Sequence, residues 1–457
     1  MWSPPTPVEF FQTRRRKLRA SLRGPAVVPA GWARPRNFRA NRYPYRADSH
    51  FLYLVGAHLE GAVLVLEPDS ERLYVEPPDP AEALWTGPTP SLDESSRALG
   101  IEIRPLEELE LEASAALLHP QDRETASWLE ERMGRPVDAG GEELEGADAE
   151  LADAIIALRL CHDAAAVEQL RAAARVTARA HLAGMRATRP GVREAFVRAR
   201  MEAAIVEHGM CTSYGSIVSV HGEVLHNERH DGVLAPGDLL LADVGAETTE
   251  GFAGDVTRSW PVSGRFSPTQ RDAYELTLAA QKAAISAVAP GVRYRDIHHI
   301  AGLSLTRGLV DLGIFRGDAE ELHERGAAAL FFPHGIGHLL GLDVHDMEDL
   351  GDRAGYAPGR RRATNRADRY LRLDRDLAPG MCVTIEPGFY LIPEILRDPK
   401  EVGDLESALD RSVLARFADV RGIRIEDDVL VTDAGYENLS AEIPKDPAEV
   451  ESCVGGG

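Results

Sequence analysis

Three segments of this chain read as buried strands, and each is broken by a single carboxylate: Leu239-Leu240-Leu241-Ala242-Asp243, Met381-Cys382-Val383-Thr384-Ile385-Glu386 and Gly422-Ile423-Arg424-Ile425-Glu426. An ionised carboxylate in an apolar strand is costly, so each needs a strong partner: a cation, an arginine or several N–H donors. Asp255 adds a fourth, in Gly251-Phe252-Ala253-Gly254-Asp255-Val256-Thr257-Arg258, one turn beyond Asp243. For Asp243 and Asp255 two readings stay open here, a shared metal or an ordinary ion pair with Arg258. Arg424 and Glu426 have the i, i+2 spacing that points both to one face of a strand, as a sheet-surface salt bridge or as part of a site. Pro387-Gly388 ends the strand after Glu386 and leaves that carboxylate where a ligand can approach.

Histidines complete the pattern. Phe331-Phe332-Pro333-His334-Gly335-Ile336-Gly337-His338 sets two imidazoles four residues apart, and His345-Asp346 follows in the same apolar neighbourhood. One core histidine is usually a satisfied polar group, but a cluster of three favours function, as metal ligand or as donor to a developing oxyanion. Asp243, Asp255, His338, Glu386 and Glu426 together make a hard, oxygen-rich set. It suits a pair of Mn²⁺-like ions better than a structural zinc, which leans on thiolates. Adjacent metals point to hydrolysis by an activated water.

Composition removes several alternatives. With 457 residues, 44% of them hydrophobic, the chain can bury a large core in two or three domains. A net charge of −22, with clustered cations mostly in the first fifty residues, argues against nucleic acid as partner. Cys161, Cys211, Cys382 and Cys453 lie far apart and form no C-x-x-C pair, which fits a reducing, cytoplasmic compartment. No apolar run is long enough to cross a bilayer, and no secretory leader is expected. The basic stretch Arg14-Arg15-Arg16-Lys17 is read as one face of an amphipathic helix with Phe10, Phe11, Leu18 and Leu22, rather than as a transit peptide.

Phe51-Leu52-Tyr53-Leu54-Val55-Gly56 and Gly61-Ala62-Val63-Leu64-Val65-Leu66 read as short buried strands of an N-terminal α/β domain. The acidic, Gly-rich stretch Asp138-Ala139-Gly140-Gly141-Glu142-Glu143 marks its end, and the boundary is set between 147 and 148, giving domains 1–147 and 148–450. In the second domain Pro190-Gly191-Val192-Arg193 recurs as Pro290-Gly291-Val292-Arg293, each time between helical stretches. The echo is short, but it permits two similar halves, one supplying Asp243 and Asp255, the other Glu386 and Glu426.

The ordered phrases H-G-x-x-x-L-H, D-V-G-A-E…G-F-A-G-D-V-T-R, H-G-I-G-H-L-L-G-L-D-V-H-D, E-P-G-F-Y and G-I-R-I-E-D-D resemble the metallopeptidase family of Xaa-Pro aminopeptidases and prolidases. Phe11-Gln12-Thr13-Arg14-Arg15, Tyr45-Arg46-Ala47-Asp48-Ser49-His50-Phe51-Leu52-Tyr53-Leu54 and Trp85-Thr86-Gly87 resemble the N-terminal domain of its aminopeptidase P branch. The resemblance implies an α+β architecture: a C-terminal pita-bread catalytic domain of two pseudo-symmetric halves, preceded by a smaller α/β domain. It implies two divalent metal ions, Mn²⁺ first and Zn²⁺ or Co²⁺ as alternatives. Asp255 and Glu426 then bridge the metals, Asp243 completes one site, and His338 with Glu386 completes the other. It further implies that Glu386 shuttles the proton, that His226 and His345 stabilise the tetrahedral intermediate, and that His334 lines the proline pocket, at whose edge Arg424 stands.

The expected activity is release of the N-terminal residue from peptides with proline second. Prolidase, which cuts only Xaa-Pro dipeptides, is the alternative, because the ligand set does not separate the two. A metal-free binding scaffold has no physical need for four converging carboxylates, and a two-metal phosphatase lacks a phosphate cradle. A homodimer or homotetramer is implied by the resemblance alone. Three features depart from the family: the Asp243 to Asp255 interval is one residue longer, Gly337 stands where many relatives carry Ser or Val, and 351–368 and 391–418 look like insertions. Each insertion is open to reading as a lid, a subunit contact or a solvated loop.

Overall fold

A computed structural model of the chain describes residues 5–140 and 144–455, so Gly141, Glu142 and Glu143 of the acidic boundary stretch lie outside the described residues. Contacts divide the chain into two units, one ending at Ala165 and taking in Met347–Ala354, the other made of Ala166–Asp346 and the rest from Gly355. The helix Gly146–Arg159 belongs to the first unit, so the compact division falls beyond the sequence boundary at 147/148.

The first unit is built on a five-stranded sheet in the order Ile103–Pro105, Glu71–Val75, Val63–Leu66, Ala26–Pro29, Ala116–Leu117. The strand expected at Val63–Leu66 forms; the one expected at Phe51–Gly56 does not. Ser49–Val55 is a helix, capped by the Asp48 carboxylate, which accepts from the N–H groups of His50 and Phe51, and closed by Gly56 at φ 75°. All seven of its residues are buried, so the helix has no polar face and its sequence carries no 3.6-residue period to read. Half of the basic run on the helix Val8–Arg19 is used internally, while Arg16 and Lys17 stay exposed. Arg14 pairs with Asp163 at 2.8 Å and Arg15 with Glu71 at 3.0 Å, and both guanidinium groups are buried.

In the second unit the short echo proves to be a structural repeat. The N–H of Gly191 donates to the Leu234 carbonyl at 2.8 Å, and that of Gly291 to the Leu377 carbonyl at 2.7 Å. Helices Glu194–Val206 and Tyr294–Asp311 then start in the same way. The acceptors themselves open a second repeated phrase, Leu234-Ala235-Pro236-Gly237 and Leu377-Ala378-Pro379-Gly380. Each phrase leads into a strand, Leu239–Asp243 or Cys382–Ile385, and nine residues separate Leu234 from Asp243 and Leu377 from Glu386. Leu239–Asp243 lies between Ile217–Ser219 and Thr257–Pro261, while Cys382–Ile385 pairs with Asp427–Thr432. The two halves therefore deliver their carboxylates at matching strand ends, as the pita-bread expectation requires. No helix among the described residues is long and apolar enough to cross a membrane.

Within the second unit, residues from 355 of the first insertion and the whole of the second are tied to this frame. Tyr356 donates to the Leu371 carbonyl at 2.9 Å, and Asp368 is clasped by Arg295 and by His299 at 3.1 Å. Residues 391–418 fold into short helices whose Phe417 packs edge-on against Phe389 of the strand Gly388–Tyr390. Arg369 and Arg366 reach Glu401, joining one insertion to the other.

Candidate active site

Asp243, at the end of its strand, and Asp255, before the strand Thr257–Pro261, are brought together by a hydroxyl: Tyr214 donates to both, to Asp255 at 2.7 Å. The ion pair considered between Asp243 and Arg258 does not form. Arg258 is fully buried on Asp427 at 2.7 Å, whereas Asp243 takes the guanidinium of Arg424 at 2.5 Å. Arg424 is likewise no sheet-surface partner of Glu426. It is buried, and its other contacts are the hydroxyls of Thr257 at 2.9 Å and Tyr390 at 3.2 Å.

From the second half, Glu426 is anchored by the Thr257 hydroxyl at 2.6 Å. The Nε2 atom of His338 stands 3.3 Å from Asp255 and 3.6 Å from Glu386, and its other nitrogen lies 2.9 Å from the Leu339 carbonyl. Acceptance by that carbonyl leaves Nε2 facing the two carboxylates. His345 stacks obliquely on His338 with ring centres 4.2 Å apart. His334 contacts the Tyr390 hydroxyl at 2.9 Å and lies 3.7 Å from Glu386. All nine sequence-derived residues, Asp243, Asp255, His338, Glu386, Glu426, His226, His345, His334 and Arg424, line one cavity of about 110 Å³.

The electrostatics are those of a cation site. Burial pushes Glu386 up to about 7, with Asp255 and Asp243 adding repulsion that His338 and Arg424 oppose. Burial and the charge of Asp255 hold Glu426 well above the carboxylate range, and burial raises Asp243 against the pull of Arg424. Only Asp255 is depressed: burial opposes its ionisation, but His338 and Tyr214 outweigh it. His338, despite burial, rises to about 9 because Asp255 and Glu386 face it, while burial beside Arg424 takes His334 down to about 3, a neutral imidazole at any working pH. Ligand atoms of Asp255, His338 and Glu426 all lie within 4.8 Å of one another. One imidazole among crowded carboxylates fits hard divalent cations, which relieve the repulsion that otherwise drives protons onto the acids.

Sequence reasoning missed several members. Tyr214, Thr257 and Thr384 hold Asp243, Asp255, Glu426 and His338, Thr384 by accepting the N–H of His338 at 3.2 Å, and Tyr390 holds His334 and Arg424. Tyrosine and threonine are ordinary strand residues, so nothing marked them. Arg372 lines the cavity from just beyond the first insertion. Gly337 is also more than a departure from the family. A Cβ there would lie 2.3 Å from the Thr384 carbonyl and 2.5 Å from the Tyr294 hydroxyl, and that hydroxyl donates to the same carbonyl at 2.6 Å.

Residues 168–433 match metallopeptidase family M24, and residues 11–125 match the aminopeptidase P N-terminal domain. The chain belongs to metallopeptidase family M24, a family of divalent-metal-dependent hydrolases. It is 34% identical over 480 residues to Xaa-Pro aminopeptidase 2 of Streptomyces coelicolor, covering 99% of this chain and 92% of that protein. Aminopeptidase PepP of Pseudomonas aeruginosa shares the fold with a TM-score of 0.81 at 31% identity, over 99% of this chain and 98% of the other. A zinc-substituted Escherichia coli aminopeptidase P in complex with product matches with a TM-score of 0.77 at 27% identity, over 98% of each chain.

Proposed function

We propose that the chain is an Xaa-Pro aminopeptidase, releasing the N-terminal residue from peptides with proline at the second position. The carrying observation is the meeting of four carboxylates, His338 and three further histidines on one cavity floored by a buried arginine. Asp243, Asp255, His338, Glu386 and Glu426 hold two divalent cations, Mn²⁺ by the oxygen-rich character of the donors. Such a pair, when bound, ionises a shared water and polarises the scissile carbonyl.

The protein's own groups do the rest. His226 and His345 donate to the oxygen of the tetrahedral intermediate. Glu386, whose proton affinity lies near neutrality before metal binding, takes the proton of the attacking water and passes it to the leaving prolyl nitrogen. That nitrogen belongs to a tertiary amide with a fixed ring and no N–H, so shape selects it. Neutral His334 and the Arg424–Tyr390 pair form the rim against which the ring rests.

Prolidase action on dipeptides is the second reading, since the same donors serve both. Assay of Ala-Pro beside Ala-Pro-Ala decides: the aminopeptidase cuts the tripeptide, and cleavage restricted to the dipeptide would overturn the proposal. Four free cysteines support a reducing, cytoplasmic setting. Adjacent exposed Leu84 and Trp85, 81% and 80% accessible, support a homodimer or homotetramer.

A further inference from the structure

A second groove, of about 390 Å³, is formed largely by the 391–418 insertion itself. Its floor is apolar, with Leu391, Leu396, Leu414 and Ala418, and its rim carries Arg397, Arg411 and Arg421 against one carboxylate, Glu223. Arg411 is held by Glu406 at 2.6 Å, but exposed Arg397 has no ion-pair partner among the described residues. Glu223 has one oxygen 3.0 Å from His221 and the other buried with no hydrogen bond. The groove thus offers cations on a chain of net charge −22.

Two elements join groove and cavity. Leu225 and His226 line the cavity while Glu223 of the same loop lines the groove, so one loop separates them. That loop sits directly on the strand Gly422–Arg424: a Cβ on Gly222 would lie 2.5 Å from the Gly422 carbonyl oxygen, and one on Gly422 would lie 2.2 Å from Gly222. The paired strands Gly388–Tyr390 and Gly422–Arg424 make the second link, with Arg424 and Tyr390 at the cavity and Arg421 and Leu391 at the groove. From Arg424 to Arg421 is about 10 Å at roughly 3.3 Å per residue, so an extended peptide with its proline at Arg424 reaches the groove about three residues later.

We propose that this groove binds the C-terminal stretch of longer peptide substrates, preferring acidic side chains set among apolar ones. The proposal rests on the exopeptidase reading of the cavity, because that reading sends the uncut remainder of the peptide past Arg424. Apolar residues cover the floor, and acidic ones meet Arg397 and Arg421.

The test uses the metal-loaded protein and a fluorescein-labelled product peptide that contains no scissile bond, Pro-Ala-Ala-Leu-Glu-Leu-Glu, beside its counterpart with Lys for Glu. Fluorescence anisotropy should show the acidic peptide bound about fivefold more tightly or better, with the preference abolished by Arg397→Glu and weakened at high salt. Ala418→Trp, which fills the floor, should weaken both peptides. Equal affinity for the two tails, or a preference indifferent to Arg397→Glu, overturns the assignment. So does an Ala418→Trp protein that changes sedimentation but not peptide affinity, since the groove then belongs to a second copy of the chain. Turnover of Ala-Pro peptides separates the two proposals. Tail preference without hydrolysis sinks the reading of the cavity alone, and hydrolysis without tail preference sinks the groove alone.

Discussion

Gly337 shows how tightly single atoms constrain this site. A Cβ on Gly337 would press on the Thr384 carbonyl and the Tyr294 hydroxyl, next to His338. Gly337→Val should therefore push against backbone and cost about 2 kcal/mol or more of stability, lowering activity through displacement of His338. Thermal unfolding and metal content check this together; a variant as stable and active as the parent contradicts it. The ligands themselves are separable from the groups that act on substrate. Asp255→Ala should lose metal and turnover together, whereas His345→Ala should keep metal and lose turnover by a factor on the order of 10² to 10³. Equal metal loss in both variants refutes the division of roles. At this scale the acids and histidines were legible because a carboxylate inside an apolar strand is anomalous. Tyr214 and Thr257 were not, because their positions become special only when the two halves of the unit meet.

Among the elements, the repeat was half visible. The phrase Pro-Gly-Val-Arg shows the repeat only faintly; Leu-Ala-Pro-Gly, which fixes where each carboxylate-bearing strand begins, is equally exact and stands nine residues before Asp243 and Glu386. The helix Ser49–Val55 was taken for a strand because burial on every side erases amphipathic spacing. Its signals, Asp48 as N-cap and Gly56 as C-cap, were both present in the sequence. The insertions could not be placed, since their docking depends on partners outside their own segments, such as Phe389 for Phe417 and Glu401 for Arg366. Phe417→Ala should remove a buried aromatic and cost about 3 kcal/mol where the insertion docks. Limited proteolysis should then cut within 391–418 while the bound metal stays unchanged; resistance equal to the parent would show that Phe417 does not hold the insertion.

For the whole molecule, stability and chemistry are governed by buried charge in different places. In the first unit Asp349 is bound by His50 at 2.9 Å, and His50 in turn contacts Arg159 at 2.8 Å. Burial opposes ionisation of Asp349, but His50 and Arg159 take it down to about 2. A depressed carboxyl contributes its stability in full above the unfolded value near 3.8 and loses it as the pH falls through the folded value. Asp349→Asn should therefore lower stability by about 2 kcal/mol at pH 7 and by progressively less from about pH 4 to pH 2. Denaturant unfolding across that range checks the sign, and a deficit that does not shrink with acid refutes it.

The charge that matters for function is the cluster of four carboxylates around His338, which needs cations to stay ionised together at neutral pH. Titration of chelator-stripped protein with Mn²⁺, following release of alanine from Ala-Pro-Ala, tests this most directly. Activity should be nil without metal and should climb to a plateau at two equivalents per chain. Full hydrolysis by the stripped protein, or none at any metal loading, would contradict the account.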